Sequence, residues 1–335
     1  MGTISRRRFV GVAAMAGAAI AMQRNSAAAL GSGNANVPVV DSHIHLFDPT
    51  RPVFTGYMGS QAYRALNKPS LPSMYEPLAR PQGVVGAIVV ESSSWIDDNL
   101  WYLDVCRADP FMVGVCGSLD PSRADFGQYV NHFARDPLYR AIRSSRFYSE
   151  EGGKVTLKLD QVANLKHLAQ ADLALDTANP SMGLMQANVL LADAIPSLRI
   201  IMDHLPSFDP TTDGRAAYEV VVRDMAARPN IFVKLSEVYH PRLDNGVIVK
   251  DWQPLKDRLD FLYGLFGEDR VIFGSDYPNS YGVATIPEEV GLMRRFFADK
   301  PRVQAEKYFW RNSARVYKWK PRTKDQPGLA SAAGA

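Results

Sequence analysis

Cysteine is nearly missing from this chain: 335 residues hold only Cys106 and Cys116, with no Cys-x-x-Cys pair and no Cys/His zinc-finger spacing. A disulfide scaffold is excluded, and Cys116, in the apolar run 111–116, is expected as a buried free thiol. Equally missing are the Gly-x-Ser-x-Gly elbow of serine hydrolases, the Gly-x-x-x-x-Gly-Lys phosphate loop and the dinucleotide Gly-x-Gly-x-x-Gly turn. No apolar run approaches the roughly 20 residues of a spanning helix. Residues 1–29 lack Asp, Glu and Lys altogether, so all their charge is that of Arg6, Arg7, Arg8 and Arg24.

What is present is ordinary for a globular protein: 46% hydrophobic and 22% charged residues, which excludes a disordered or collagen-like chain. Residues 1–29 combine Ser5-Arg6-Arg7-Arg8-Phe9, a short Gly/Ala-rich apolar run and Ala27-Ala28-Ala29. That pattern reads as a twin-arginine export signal, with the periplasm as destination. The formal net charge of +3 then changes meaning. Without those four arginines, 34 Lys+Arg face 35 Asp+Glu, near −1. The basic excess belongs to the address segment, and nucleic acid or a membrane surface loses its case as a partner. A flexible lead-in is expected over 30–36, one domain over 37–320 and a loose Pro/Gly/Ala-rich tail over 321–335.

Within the domain, short β-branched runs alternate with longer helical patterns. Strands are expected at 38–43, 84–91, 112–118, 139–144, 172–176, 198–203, 231–236 and 271–275. Helices are expected at 122–135, 158–170, 181–194, 214–227, 254–266, 287–298 and 302–318. Strand–helix alternation implies a parallel sheet, and eight units in about 280 residues imply an α/β fold of the closed (β/α)8 TIM-barrel kind. In such a barrel function collects at the C-terminal strand ends, which here carry His43, His45, Glu91, Arg143, His204, Ser236 and Asp276. Three of only six histidines stand there, and a fourth, His240, is close behind. His43 and His45 are one residue apart, so both rings face the barrel interior. With His204 and Asp276 they offer the nitrogen and oxygen donors that a divalent ion such as Zn2+ takes, with a position left for water.

Four motifs carry a resemblance: Val39-Val40-Asp41-Ser42-His43-Ile44-His45, Ile201-Met202-Asp203-His204-Leu205-Pro206, Val233-Lys234-Leu235-Ser236 and Val271-Ile272-Phe273-Gly274-Ser275-Asp276-Tyr277-Pro278. Over about 35–320 the chain resembles the amidohydrolase-related (type 2) metal-dependent hydrolases, and within them the lactonase branch that includes 2-pyrone-4,6-dicarboxylate lactonase and 4-sulfomuconolactone hydrolase. The resemblance implies a TIM barrel with His43, His45 and His204 at the electrophilic centre and Asp276 accepting the proton of the attacking water. The fourth strand, Tyr139-Arg140-Ala141-Ile142-Arg143-Ser144, lacks the lysine that binuclear relatives carbamylate, so one metal is expected. Zn2+ is the expected ion; operation without one is the alternative within this branch.

An anionic lactone, carboxylated or sulfonated, needs cationic partners, and arginine grips planar anions at two points. Arg143, Arg146, His240 and Arg242 are the candidates, with Tyr57, Trp95 and Trp101 as candidate walls; a surface ion pair is the plain alternative for each arginine, and loop packing, the favoured one, for each aromatic. Lys234 is expected to face the interior, paired with a carboxylate such as Asp41, and Asp203, of opposite strand parity, to pair outside the ligand ring. His132 and His167 fall on helix faces and are left out. The expected activity is hydrolysis of a small anionic lactone such as 4-sulfomuconolactone. Two alternatives stand beside it: non-oxidative decarboxylation with His240 as proton donor, and a non-catalytic periplasmic binding barrel. A homo-oligomer is compatible with the sequence.

Overall fold

The computed structural model describes residues 34–53, 56–210, 214–239, 248 and 250–329. The expected export signal, His240 and Arg242 lie outside the described residues. Ten strands occur among the described residues: β1 (Val39–His45), β2 (Val84–Val90), β3 (Met112–Ser118), β4 (Tyr139–Arg143), β5 (Tyr148–Glu151), β6 (Lys154–Leu157), β7 (Ala174–Thr177), β8 (Ile200–Met202), β9 (Ile231–Lys234) and β10 (Val271–Ile272). Eight of them form one sheet in the order β1-β2-β3-β4-β7-β8-β9-β10. All its pairings are parallel. Every residue of β1 is buried, as a parallel strand covered on both faces must be.

The ring closes between the last strand and the first. Asp276 N–H donates to His43 O at 2.9 Å, His45 N–H to Tyr277 O at 2.7 Å and Ser42 N–H to Phe273 O at 3.2 Å. Ile44 and Tyr277 form a parallel bridge at the same seam. The TIM-barrel expectation is thus met, with helices Asp98–Ala108, Phe126–Phe133, Leu159–Gln170, Met182–Ala194, Arg215–Ala226 and Trp252–Phe266 between strands and Ile286–Phe296 after the last. Local chemistry starts several of them. Ser181 Oγ accepts from Leu184 N–H, and Thr285 with Glu288 forms a reciprocal capping box.

The expected strand at 271–275 is only Val271–Ile272, because the chain leaves the sheet to turn into the site. The antiparallel pair β5/β6 is an addition to the expected elements: each strand is four residues long, and the alternation of Lys154-Val155-Thr156-Leu157 is too brief to read as a strand. The helix expected over 302–318 is Arg302–Glu306 and Asn312–Tyr317, joined by a π turn over Lys307–Arg311. Residues 321–329, expected to be loose, are tied down. Arg322 Nη1 donates to Asp109 O at 3.0 Å and Met112 O at 2.6 Å, and the buried Gln326 donates to Pro110 O at 2.9 Å. Both cysteines are buried and free.

Gly274 stands where the closing segment passes the first strand, and a methyl group there would lie 2.8 Å from His43 Cβ. That contact has no room to relax without moving either the seam or the ring. Gly274→Ala is therefore expected to cost about 1–3 kcal/mol in urea unfolding; an unchanged midpoint would contradict this close approach.

Candidate active site

Strand alternation brings His43 and His45 to the same side of β1, and their Nε2 atoms stand 3.1 Å apart. Asp41, of the same parity, anchors the seam rather than the chemistry. Its Oδ1 accepts from Ser275 N–H at 2.9 Å and His43 N–H at 3.1 Å, its Oδ2 from Tyr75 OH at 2.6 Å. Asp276 Oδ1 reaches His45 Nε2 at 3.1 Å, His43 Nε2 at 3.4 Å and His204 Nε2 at 3.6 Å. The His43 and His204 rings lie 4.4 Å apart, and Ser236 Oγ holds His204 Nδ1 at 2.7 Å. The structure therefore brings together all four residues expected at the centre, buried at the barrel mouth.

Three residues at the strand ends take left-handed backbone: His204 (φ 54°), Glu237 (φ 50°) and Asp276 (φ 56°). Such conformations cost energy outside glycine and persist where surrounding structure enforces them. At His204 the turn breaks the strand alternation, so Asp203 and His204 both face inward. Asp203 thus pairs outside the ligand ring as expected, with Lys234, but from inside the barrel and not from the opposite face. It is fully buried under the ring, 3.6 Å from His43 Nδ1 and 2.9 Å from Lys234 Nζ. Lys234 faces the interior as expected, but its partners are Asp176 (2.7 Å) and Asp203, not Asp41.

Burial sets the protonation of the centre. It lowers His45 to about 3 and holds His43 well below the usual histidine range, so both rings are neutral near pH 7. Burial pushes Asp276 up to about 6, against the side-chain interaction with Glu237 and the hydrogen bond from Asn279 Nδ2, which donates to Asp276 Oδ2 at 2.6 Å. Burial also works against the Lys234 charge, but Asp176 and Asp203 beside it raise its pKa above the ordinary lysine value.

These donors suit a cation. His45 Nδ1 faces the carbonyls of Val90 and Glu91 at 3.1 and 3.0 Å, so it carries the ring proton and Nε2 presents a lone pair. That lone pair meets a carboxyl oxygen at 3.1 Å, an arrangement that positive charge between them relieves. Ligand atoms of His43, His204 and Asp276 all fall within 4.8 Å of one another, and His45 adjoins two of them. His43, His204 and Asp276, with His45 beside them, are a divalent-metal site of the kind that takes Zn2+.

The centre opens into a cavity of about 1000 Å³ whose lining includes Tyr57, Glu91, Trp95, Arg143, Arg146 and Asn279. Tyr57 lies edge-on to His45, ring centroids 5.5 Å apart. Arg143 reaches the cavity, yet Nε donates to Glu91 Oε1 at 2.8 Å and Nη2 to Glu91 O at 2.7 Å. Arg146 pairs with Asp120 at 2.8 Å. Trp101 is not a wall; it lies under the Arg51 guanidinium, 4.5 Å from it. His132 and His167 are exposed on their helices, away from the site. Asn279 and Glu237 join the site without a sequence signal, since an amide and an acid a few residues past a strand end carry no diagnostic spacing.

Known proteins place this chain in a family. The amidohydrolase family model matches residues 40–319. An L-fucono-1,5-lactonase of Burkholderia ambifaria is 30% identical over 251 residues, covering 72% of this chain and 80% of that protein. An L-fucono-1,5-lactonase of Burkholderia multivorans is 23% identical, covering 82% and 94%. Among solved structures, an amidohydrolase from Burkholderia multivorans with bound zinc superposes with a TM-score of 0.71 at 20% identity, covering 84% of this chain and all of that one. A probable 2-pyrone-4,6-dicarboxylic acid hydrolase from Acinetobacter baumannii, with citric acid bound, gives 0.64 at 14% identity, covering 84% and 99%. At these identities the structural matches show the barrel fold.

The raised Asp276 pKa has a consequence for stability. In the unfolded chain this carboxyl ionises near 3.8, in the folded protein near 6, so folding loses stability as pH rises through that window. Metal-free Asp276→Asn protein is expected to be more stable than wild type at pH 8, by about 2–3 kcal/mol, with the difference vanishing below pH 4. Equal melting curves at pH 8 would refute the burial cost.

Proposed function

We propose that this chain, which belongs to the amidohydrolase family and is an enzyme of that metal-dependent hydrolase class, opens a small polar lactone by attack of water on the ring carbonyl. The observation that carries this reading is the convergence of three imidazoles on a buried carboxyl at the floor of a polar cavity. A zinc ion bound there would polarise the acyl oxygen and lower the pKa of a water toward neutrality. Asp276 turns Oδ1 to the imidazoles while Asn279 holds Oδ2, so the carboxyl is fixed at the centre, where it is placed to accept the water's proton. As the water oxygen bonds to the acyl carbon and the ring C–O bond breaks, the same carboxyl returns that proton to the departing alkoxide. His45, its proton committed to two backbone carbonyls, stays a fixed neutral partner.

Two substrate classes fit the wall. An anionic lactone, carboxylated or sulfonated as in 4-sulfomuconolactone, would place its charge against Arg143, with Arg146 at the rim. A neutral hydroxylated lactone is favoured by a specific observation: Glu91 already occupies Arg143 and Asp120 occupies Arg146. It is also what the 30% identical relative's name describes. Decarboxylation would use the same centre with His240 as the proton donor.

Proton release in a pH-stat from carboxylated, sulfonated and neutral sugar lactones tests the reading. Lactone-dependent acid release supports it, whereas CO2 release from aromatic acids with silence on all lactones would replace it. Glu91→Gln frees Arg143 and should raise kcat/KM for anionic lactones only. Asp276→Asn should lose roughly 10²–10⁴-fold in turnover. In the metal-free wild type, the Asp276 carboxyl should titrate near 6, read by carbon-13 NMR of its side chain. Asn279→Ala, which removes a bond that lowers that pKa, should move this metal-free titration to higher pH.

Twin-arginine export to the periplasm, with cleavage near Ala29, rests on the sequence of residues 1–29. Periplasmic protein still beginning at Met1 would refute the cleavage.

A further inference from the structure

His43 is held from below by two groups of opposite hydrogen-bonding character. Lys234 Nζ lies 3.0 Å from His43 Nδ1. Asp203 Oδ1 lies 3.6 Å from the same nitrogen. An ammonium only donates, so the ring accepts at Nδ1 and keeps its single proton on Nε2, toward His45 Nε2 at 3.1 Å. That is the wrong tautomer for a ligand, because a cation at the centre needs the Nε2 lone pair. The ring must then carry its proton on Nδ1, where Lys234 cannot accept it. Asp203 can: neither of its buried oxygens accepts a well-directed hydrogen bond, although Lys234 Nζ stands 2.9 Å from Oδ1. A small tilt of the ring brings Nδ1–H onto that oxygen. Lys234 loses nothing essential, since Asp176 Oδ2, itself bonded by Tyr317 OH at 2.7 Å, still accepts from it at 2.7 Å.

We propose that Lys234 and Asp203 act as a tautomer selector beneath His43, Lys234 fixing the Nε2–H form without an ion and Asp203 accepting Nδ1–H when His43 turns its lone pair to one. Both are positioning residues that act through His43 and touch no reacting atom. The ring is neutral with one proton in both states, so the exchange needs no co-reactant. Metal affinity is thereby set partly from below the site, where Lys234 opposes occupancy and Asp203 supports it. A carboxyl behind a ligating imidazole both orients the ring and raises its basicity, commonly worth 10–100-fold in affinity.

The proposal rests on reading the centre as a cation site, and its test separates the two. Nitrogen-15 NMR of histidine-labelled, metal-free full-length protein reads the tautomer directly, with His43→Gln used to assign the resonance. His43 protonated on Nε2 is the expected result; protonation on Nδ1 overturns the Lys234 half whether or not an ion binds. Adding Zn2+ should move the proton to Nδ1, and either no zinc binding or zinc binding with Nε2 still protonated overturns the Asp203 half. Asp203→Asn should keep the metal-free tautomer and weaken zinc binding by roughly 10–100-fold, measured by chelator competition. Wild-type affinity in that variant overturns the proposal, and should it not fold, the wild-type spectra still decide.

Discussion

The barrel is closed by the same backbone that carries its chemistry. Among the described residues no regular ladder joins the last strand to the first; the seam is a handful of bonds, including Asp276 N–H to His43 O and His45 N–H to Tyr277 O. Asp41 locks this seam from within by accepting from Ser275 and His43 backbone together. The relative placement of His43, His45 and Asp276 is therefore a property of fold closure. A site built this way gains precision from the whole sheet, and any change that loosens the seam loosens the centre with it.

Left-handed backbone at three consecutive barrel strand ends is the local cost of that arrangement. His204, Glu237 and Asp276 are each turned so that the side chain points over the mouth instead of following the pleat. Each is buried and bonded: His204 to Ser236, Glu237 to Asn279, Asp276 to Asn279 and the imidazoles. The strain is held by those contacts and by the helices packed outside the sheet.

Periodicity is the part of this structure that the residues spell out. Alternating apolar runs and helical stretches give the barrel, and a two-residue period places His43 and His45 on one side. Departures from periodicity are what the residues alone do not announce. Parity sets Asp203 opposite to His204, yet both stand inward because His204 abandons the strand conformation. Lys234 is expected against Asp41, but Asp41 is consumed by seam bonds and Asp176 is the carboxyl within reach. Arg143 stands at its strand end as expected, while its pairing with Glu91 depends on β4 and β2 being brought within side-chain reach around the closed ring, which no local pattern encodes. The β5/β6 hairpin is hard to read in the sequence because its strands are only four residues long and one face is only half-buried, by Tyr148, Val155 and Leu157.

Charge in the interior gives the strongest physical reason for a cation at this mouth. Among the described residues, Asp41, Asp176, Asp203, Glu237, Asp276 and Glu289 are buried in and around the centre, with Lys234 the buried cation among them. Burial raises the pKa of Asp41, Asp176, Asp276 and Glu289, which is the response of carboxyls that lack enough positive charge nearby. An acid excess of this size is costly unless protons or a metal neutralise it. Protons alone would silence Asp276 as a base. A divalent ion bound by His43, His204 and Asp276 would offset the excess while leaving Asp276 ionised, so the charge imbalance that burdens the fold favours the chemistry a cation would supply at its mouth.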